Sequence, residues 1–108
     1  MRNGYSEHAP TRAEVDAIEG ATVLDFGTDQ CGHCRAAQPI IAGALEQHPQ
    51  VRHIKIRDGK HRSLGRSYRV KLWPTLIFLK DGREVARLVR PRDVASVTDA
   101  IEKLGNAS

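Results

Sequence analysis

Apolar residues recur along this chain with two periods, and the switches between them divide it into eight elements. Thr11-Arg12-Ala13-Glu14 has the form of a capping box. It opens a short helix with Val15 and Ile18 on one face, closed by Gly20. The stretch "ATVLDFGT" carries Val23, Leu24 and Phe26 and predicts a buried strand. "CGHCRAAQPIIAGALEQH" predicts a helix over residues 31–47, kinked at Pro39, which lacks a backbone donor and crowds the preceding turn. In "VRHIKIR", Val51, Ile54 and Ile56 alternate loosely as a strand, and His53 fits either face. "HRSLGRSYRV" is a short helix around Leu64 and Tyr68, weakened by Gly65. "TLIFLKDGREVARLV" is the clearest signal, a hairpin of residues 75–79 and 84–89 turning at Asp81-Gly82. In "RPRDVASVTDAIEKLG", Val94, Val97, Ile101 and Leu104 form the stripe of a last helix that Gly105 stops.

The order is therefore α, β, α, β, α, β, β, α. A strand–helix–strand unit implies a parallel pair with a right-handed crossover, and the final hairpin adds antiparallel strands. The expected fold is α/β, a mixed sheet of about four strands with helices on both faces. At 108 residues the chain is expected to be a single domain, residues 1–108, able to bury a core without cross-links. Residues 1–10 are expected to be flexible or to form a short strand around Tyr5.

Composition narrows the function class. The net charge is +4, but residues 51–92 hold 13 Lys/Arg against 3 Asp/Glu. Such a segment can steer acidic partners or nucleic acid, but a solvated face is the favoured reading. Aromatic residues make up only 5% of the chain, poor equipment for base stacking, so a nucleic-acid partner is not expected. No apolar run approaches the ~20 residues of a membrane span. The opening "MRNGYSEHAP" has no apolar signal core. Cytoplasmic location is the expectation, and there a structural disulfide is out of place. A monomer is expected.

The two cysteines stand together in "TDQCGHCRAAQP". Cys31 follows a strand and opens a helix, so it meets the positive end of the helix dipole and unpaired N–H groups. Both favour the thiolate, which is the reactive species. Cys34 lies one turn on and points inward. The expected roles follow: Cys31 attacks a disulfide, and Cys34 resolves the mixed disulfide. Gly32 is expected to keep the approach open, and His33 to tune the poise of the pair. Asp25 sits in the middle of the buried strand, where a carboxylate is costly to ionise without a partner. Behind the cysteines, it is read as a proton relay for Cys34. Trp73-Pro74-Thr75 precedes the hairpin and is read with Gln30 as a substrate-binding edge, where the backbone of Trp73 pairs with an extended substrate. By base rate alone Pro74 would be trans and enter an edge strand, since only about 5–6% of X–Pro bonds are cis.

"VLDFGTDQCGHCRAAQP" followed by "WPTLIFLKDG" resembles the thioredoxin superfamily over about residues 12–104. The combination is specific: a buried Asp, C-x-x-C, Pro39 after it, Pro74 further on, then a Lys-Asp-Gly turn. The resemblance implies a thioredoxin fold and thiol–disulfide oxidoreductase activity without a cofactor beyond the reversible Cys31–Cys34 disulfide. It implies Cys31 as attacking and Cys34 as resolving cysteine, Asp25 as the buried acid and Pro74 as a cis proline. Protein disulfides are the implied substrates, and a reductase or other donor supplies electrons. The chain departs from the family pattern in places. His33 makes the motif Cys-Gly-His-Cys, as in protein disulfide isomerase domains. Gln30 and Gly27 stand where tryptophans are usual, His53 where a lysine is frequent, and Leu72 and Arg90 where glycines are usual.

Two other uses compete. Cys31, Cys34, His53 and His61 could join in a metal site, although His53 and His61 lack the close spacing of a second ligand pair. The basic segment 51–92, with Arg87, Arg90 and Arg92, could instead hold an acidic protein on a fold that has lost turnover.

Overall fold

The computed structural model describes residues 4–106. The elements are α1 (Arg12–Asp16), β1 (Ala21–Gly27), α2 (Gly32–Glu46), β2 (Arg52–Arg57), α3 (Ser63–Ser67), β3 (Thr75–Lys80), β4 (Arg83–Val89) and α4 (Val94–Asn106). They form one four-stranded sheet in the order β2-β1-β3-β4. β1 pairs parallel with β2 and antiparallel with β3, and β3 pairs antiparallel with β4. This is the expected mixed sheet, with β1 and β3 at its centre. Pro74 therefore leads into a central strand, not an edge one.

The alternation of β1 divides the core in two. Val23 faces α2 and α4, joining Ala37, Ile41, Val97 and Ile101 together with Leu76 and Phe78 of β3. Leu24 and Phe26 face the other way, packing with Val15 of α1, Leu64 and Tyr68 beside α3, and Ile56, Ile77 and Leu79. By the same alternation Asp25 falls on the α2 face. In β2, Ile54 and Ile56 pack on the α1/α3 side, which sends His53 to the side of Asp25.

The Thr11 capping box is formed: Thr11 Oγ1 accepts from the Glu14 N–H at 3.1 Å, and Glu14 returns the bond to the Thr11 N–H at 2.8 Å. The helix ends at Asp16 with Ala17 as its C-cap, and Gly20, with its positive φ of 84°, instead turns the chain into β1. α2 runs on through Pro39. Gly105 lies inside α4 rather than beyond it. Val94, expected on the buried stripe of α4, is exposed at the start of the helix, and Ala100 takes a buried place instead. Gly65 is buried in α3 with its α-carbon against the Asp58 carboxylate, a close approach that a side chain would block. Tyr5 is not in a strand. A lone parallel bridge joins Ser6 to Ile56, with Ser6 N–H donating to Lys55 O at 3.1 Å and Arg57 N–H to Ser6 O at 2.9 Å. That bridge ties Ser6 to the edge of the sheet. Residues 1–3 of the expected flexible stretch lie outside the described residues.

The β3–β4 turn has φ of 50° at Asp81 and 82° at Gly82, the double positive φ of a two-residue hairpin loop. Asp81 also clamps the link before β1, accepting from Gly20 N–H at 2.7 Å. A Cβ at Gly82 would run into the backbone carbonyl of Asp16. Gly82→Ala thus combines an unfavourable φ with a clash, and urea unfolding should show a loss of about 1–3 kcal/mol; unchanged stability would mean that the turn is not held against α1.

Candidate active site

β1 delivers the site. Its last residue, Gly27, leads through Thr28-Asp29-Gln30 to Cys31, the N-cap of α2. The Cys31 backbone is extended, and its sulfur accepts the Cys34 N–H at 3.3 Å. The thiol thus does at this helix end what a Ser or Asp side chain does at others. Cys31 is half-buried, and Cys34 is buried at 1% exposure; both are free thiols.

The two sulfurs are held in different electrostatic states. Burial works against the Cys31 thiolate. The Cys34 thiol, the backbone N–H groups of Cys34 and His33, and the Arg90 guanidinium outweigh it, so the Cys31 pKa lies below the ordinary thiol value. Cys34 is pushed up to about 11, first by burial and then by its hydrogen bond with Cys31. A thiol with that pKa is almost wholly protonated at neutral pH.

Asp25 is completely buried but not unpartnered. The Tyr5 hydroxyl donates to its Oδ1 at 2.8 Å, and His53 Nε2 lies 3.0 Å from its Oδ2. Gln38 Nε2 donates to the Tyr5 hydroxyl at 3.1 Å and to the Cys34 carbonyl at 3.3 Å. Tyr5 is the residue that the sequence reading missed at this site. Its signal was indirect: Gly27 stands where the family usually has a tryptophan, which leaves a volume to fill. A Cβ built on Gly27 would come within 2.5 Å of Cys34 Sγ and 2.9 Å of the Tyr5 hydroxyl. The Tyr5 ring occupies that volume from a distant part of the chain.

The other expected site residues separate into two groups. Gln30, Gly32 and His33 are exposed around Cys31. A Cβ at Gly32 would meet nothing within 4 Å, so the space beside Cys31 is open at that position. The Trp73–Pro74 peptide is cis. Trp73 is half-buried, and its indole N–H donates to Asp58 Oδ2 at 2.8 Å. Thr75 is buried, and its hydroxyl donates to Leu72 O at 2.6 Å, so its side chain shapes the loop from inside. Arg90 grips this loop twice: its N–H donates to Pro74 O at 2.9 Å and its Nε to Trp73 O at 2.8 Å. The Trp73 carbonyl, part of the backbone read as a pairing edge for a substrate, thus accepts one hydrogen bond from the Arg90 side chain.

Among the described residues no group of three or more His, Cys, Asp or Glu is placed to hold a metal ion. His61 is exposed and does not join Cys31, Cys34 and His53 in such a group. In the basic segment, Arg57 and Arg62 pair with Glu7 at 3.3 and 3.2 Å, and Arg87 pairs with Glu84 at 2.7 Å. No helix among the described residues is long and apolar enough to cross a membrane.

A family model described as Thioredoxin matches residues 7–103. The chain belongs to the thioredoxin family. It is 37% identical over 84 residues to a thioredoxin of Chlamydia pneumoniae, an alignment covering 78% of this chain and 82% of that protein. It is 33% identical over 82 residues to thioredoxin-1 of Saccharomyces cerevisiae, covering 73% and 80%. Among solved structures, thioredoxin 2 from Pseudomonas aeruginosa PAO1 in its reduced form superposes with a TM-score of 0.87 at 51% identity, covering 99% of this chain and all of that one. Thioredoxins are disulfide oxidoreductases that work through a dithiol without a cofactor, and the Cys31/Cys34 pair supplies that dithiol here. Members of the family act on protein disulfides and are reduced by thioredoxin reductase.

The two cysteines should separate in a pH series of alkylation on the reduced protein. Thiolate fraction rises with pH, so a lowered pKa makes Cys31 react half-maximally below the ordinary ~8.5 of a thiol, while Cys34 stays unreactive through the neutral range. Removing the guanidinium in Arg90→Gln should move the Cys31 midpoint upward. A Cys31 that titrates like a free thiol would contradict this electrostatic picture.

Proposed function

We propose that this chain reduces protein disulfides, with Cys31 as the attacking thiolate and Cys34 as the resolving thiol. The observation that carries this reading is the asymmetry of the pair at the N-terminus of α2: one sulfur accessible and held by backbone N–H groups, the other buried beside a carboxyl network. Cys31 attacks one sulfur of the substrate disulfide, forming a mixed disulfide and expelling the other sulfur as a thiolate. Cys34 then attacks Cys31 and releases the remaining substrate sulfur. Two electrons pass from the dithiol to the substrate, and a reductase or another dithiol donor restores Cys31 and Cys34. Asp25 takes the proton that Cys34 must lose before it attacks.

His33, exposed beside Cys31, sets the poise of the couple, and Gln30 with Trp73 and the Pro74 loop forms the rim that a substrate meets. A substrate strand that pairs with the Trp73 backbone displaces the Arg90 side chain from the Trp73 carbonyl. The working location is the cytoplasm, where electron donors keep such dithiols reduced, and the working unit is a monomer of one domain.

Reduction of insulin disulfides, followed with a dithiol donor and with a thioredoxin reductase, tests the activity. Cys31→Ser should abolish turnover, and Cys34→Ser should accumulate covalent mixed disulfides that a reductant releases. Asp25→Asn should slow resolution by about 10²-fold, the scale of a lost general base. No turnover with any donor, together with tight binding of an acidic protein through residues 51–92, would replace this reading with that of a partner-binding module.

A further inference from the structure

We propose that Tyr5 is the link through which the Cys34 thiol passes its proton to Asp25, and that His53 carries that proton on to solvent. This rests on the reading of Asp25 as the proton acceptor.

A phenol hydroxyl has one proton to donate and two lone pairs to accept with. At Tyr5 the proton is directed to Asp25 Oδ1 at 2.8 Å. One lone pair accepts from Gln38 Nε2 at 3.1 Å. The other is left for the Cys34 side, where hydroxyl and sulfur flank the same point above Gly27. The hydroxyl is also within hydrogen-bonding reach of Cys34, a contact that favours the thiolate and offsets a small part of the burial that holds the thiol protonated. Tyr5 itself holds its proton firmly, because burial, then Asp25, then Cys34 all raise its pKa. It therefore passes a proton along without becoming a phenolate. Among the described residues the other charged groups facing Tyr5 are Lys55, whose Nζ lies 4.8 Å from the ring centroid, and Asp29, whose Oδ1 accepts the Tyr5 backbone N–H at 3.2 Å.

The exit follows on the far side of Asp25. The Asp25 side chain is 0% exposed, whereas that of His53 is 24% exposed. His53 lines a surface cleft of about 640 Å³ with Ser6, Glu7, His8 and Lys55. The step balances as follows. As Cys34 Sγ bonds to Cys31 Sγ, the bond from Cys31 to the substrate sulfur breaks, and its electron pair leaves on that sulfur. The Cys34 proton moves to the Tyr5 oxygen while the Tyr5 proton moves to Asp25. Asp25 is cleared through His53 to water.

A stopped-flow reaction of the reduced protein with dithiobis(nitrobenzoate) tests this. One coloured aryl thiolate is released when Cys31 attacks and a second when Cys34 resolves. Tyr5→Phe should leave the first phase unchanged, slow the second by at least about tenfold, and move its pH profile upward, because Cys34 must then ionise unaided. His53→Gln should slow the second phase, and added imidazole should restore it. A second phase of wild-type rate and pH profile in Tyr5→Phe, with Asp25→Asn slow, overturns the Tyr5 link while the Asp25 reading stands. If Asp25→Asn is also fast, the Asp25 reading falls, and the link with it. A fast second phase in His53→Gln overturns the exit. Should Tyr5→Phe fail to fold, fluorotyrosine incorporated into Tyr68→Phe leaves Tyr5 as the one labelled phenol. A second phase that shifts with phenol acidity supports the link, and one that does not overturns it.

Discussion

A carboxyl group buried in the centre of a sheet must find hydrogen-bond partners, and that need organises this molecule. Asp25 lies on β1, between β2 and β3, with no exposure at all. Its two oxygens are taken by Tyr5, from the segment before α1, and His53, from the edge strand. Three stretches far apart in sequence are thereby fixed around one point. The same strand ends a few residues before Cys31, so the demand for partners and the placement of the reactive thiol share one scaffold.

Around that point the site is built by contrast. Cys31 caps a helix and gathers N–H groups, which favour the anion. Cys34, one turn on, is buried and holds its proton. In the proposed exchange cycle the first is the ready nucleophile and the second is withheld until the mixed disulfide forms. Gly27 contributes by what it lacks. Its missing side chain lets the Tyr5 ring and the Cys34 sulfur share one volume, so the tryptophan usual there is replaced by a tyrosine from elsewhere that carries a hydroxyl to the carboxylate. Arg90 is the second substitution with a visible consequence. Its side chain ties the cis proline loop at the Trp73 carbonyl and lays positive charge toward Cys31.

Periodicity determined the elements themselves. Alternating and helical apolar patterns marked all eight, because each must bury one face, and a local pattern suffices to say which. C-x-x-C at a strand-to-helix junction marked the chemistry for a similar reason, since the capping environment of Cys31 is local. The misses were at boundaries and between elements. Gly20 and Gly105 looked like helix stops, yet Gly20 serves the entry to β1 and Gly105 is carried within α4. The face of His53 could not be read from "VRHIKIR", because a half-buried edge strand shows only a loose alternation.

The amino-acid sequence by itself thus determined the order of the elements, the mixed sheet and the pair of thiols. Only the tertiary structure decided who partners Asp25, since the Tyr5 hydroxyl and the His53 ring arrive from 20 and 28 residues away. It also decided that the Trp73 carbonyl is held by Arg90, 17 residues on. Such contacts carry no local pattern. They are set by which strands become neighbours and by which empty volumes distant side chains must fill.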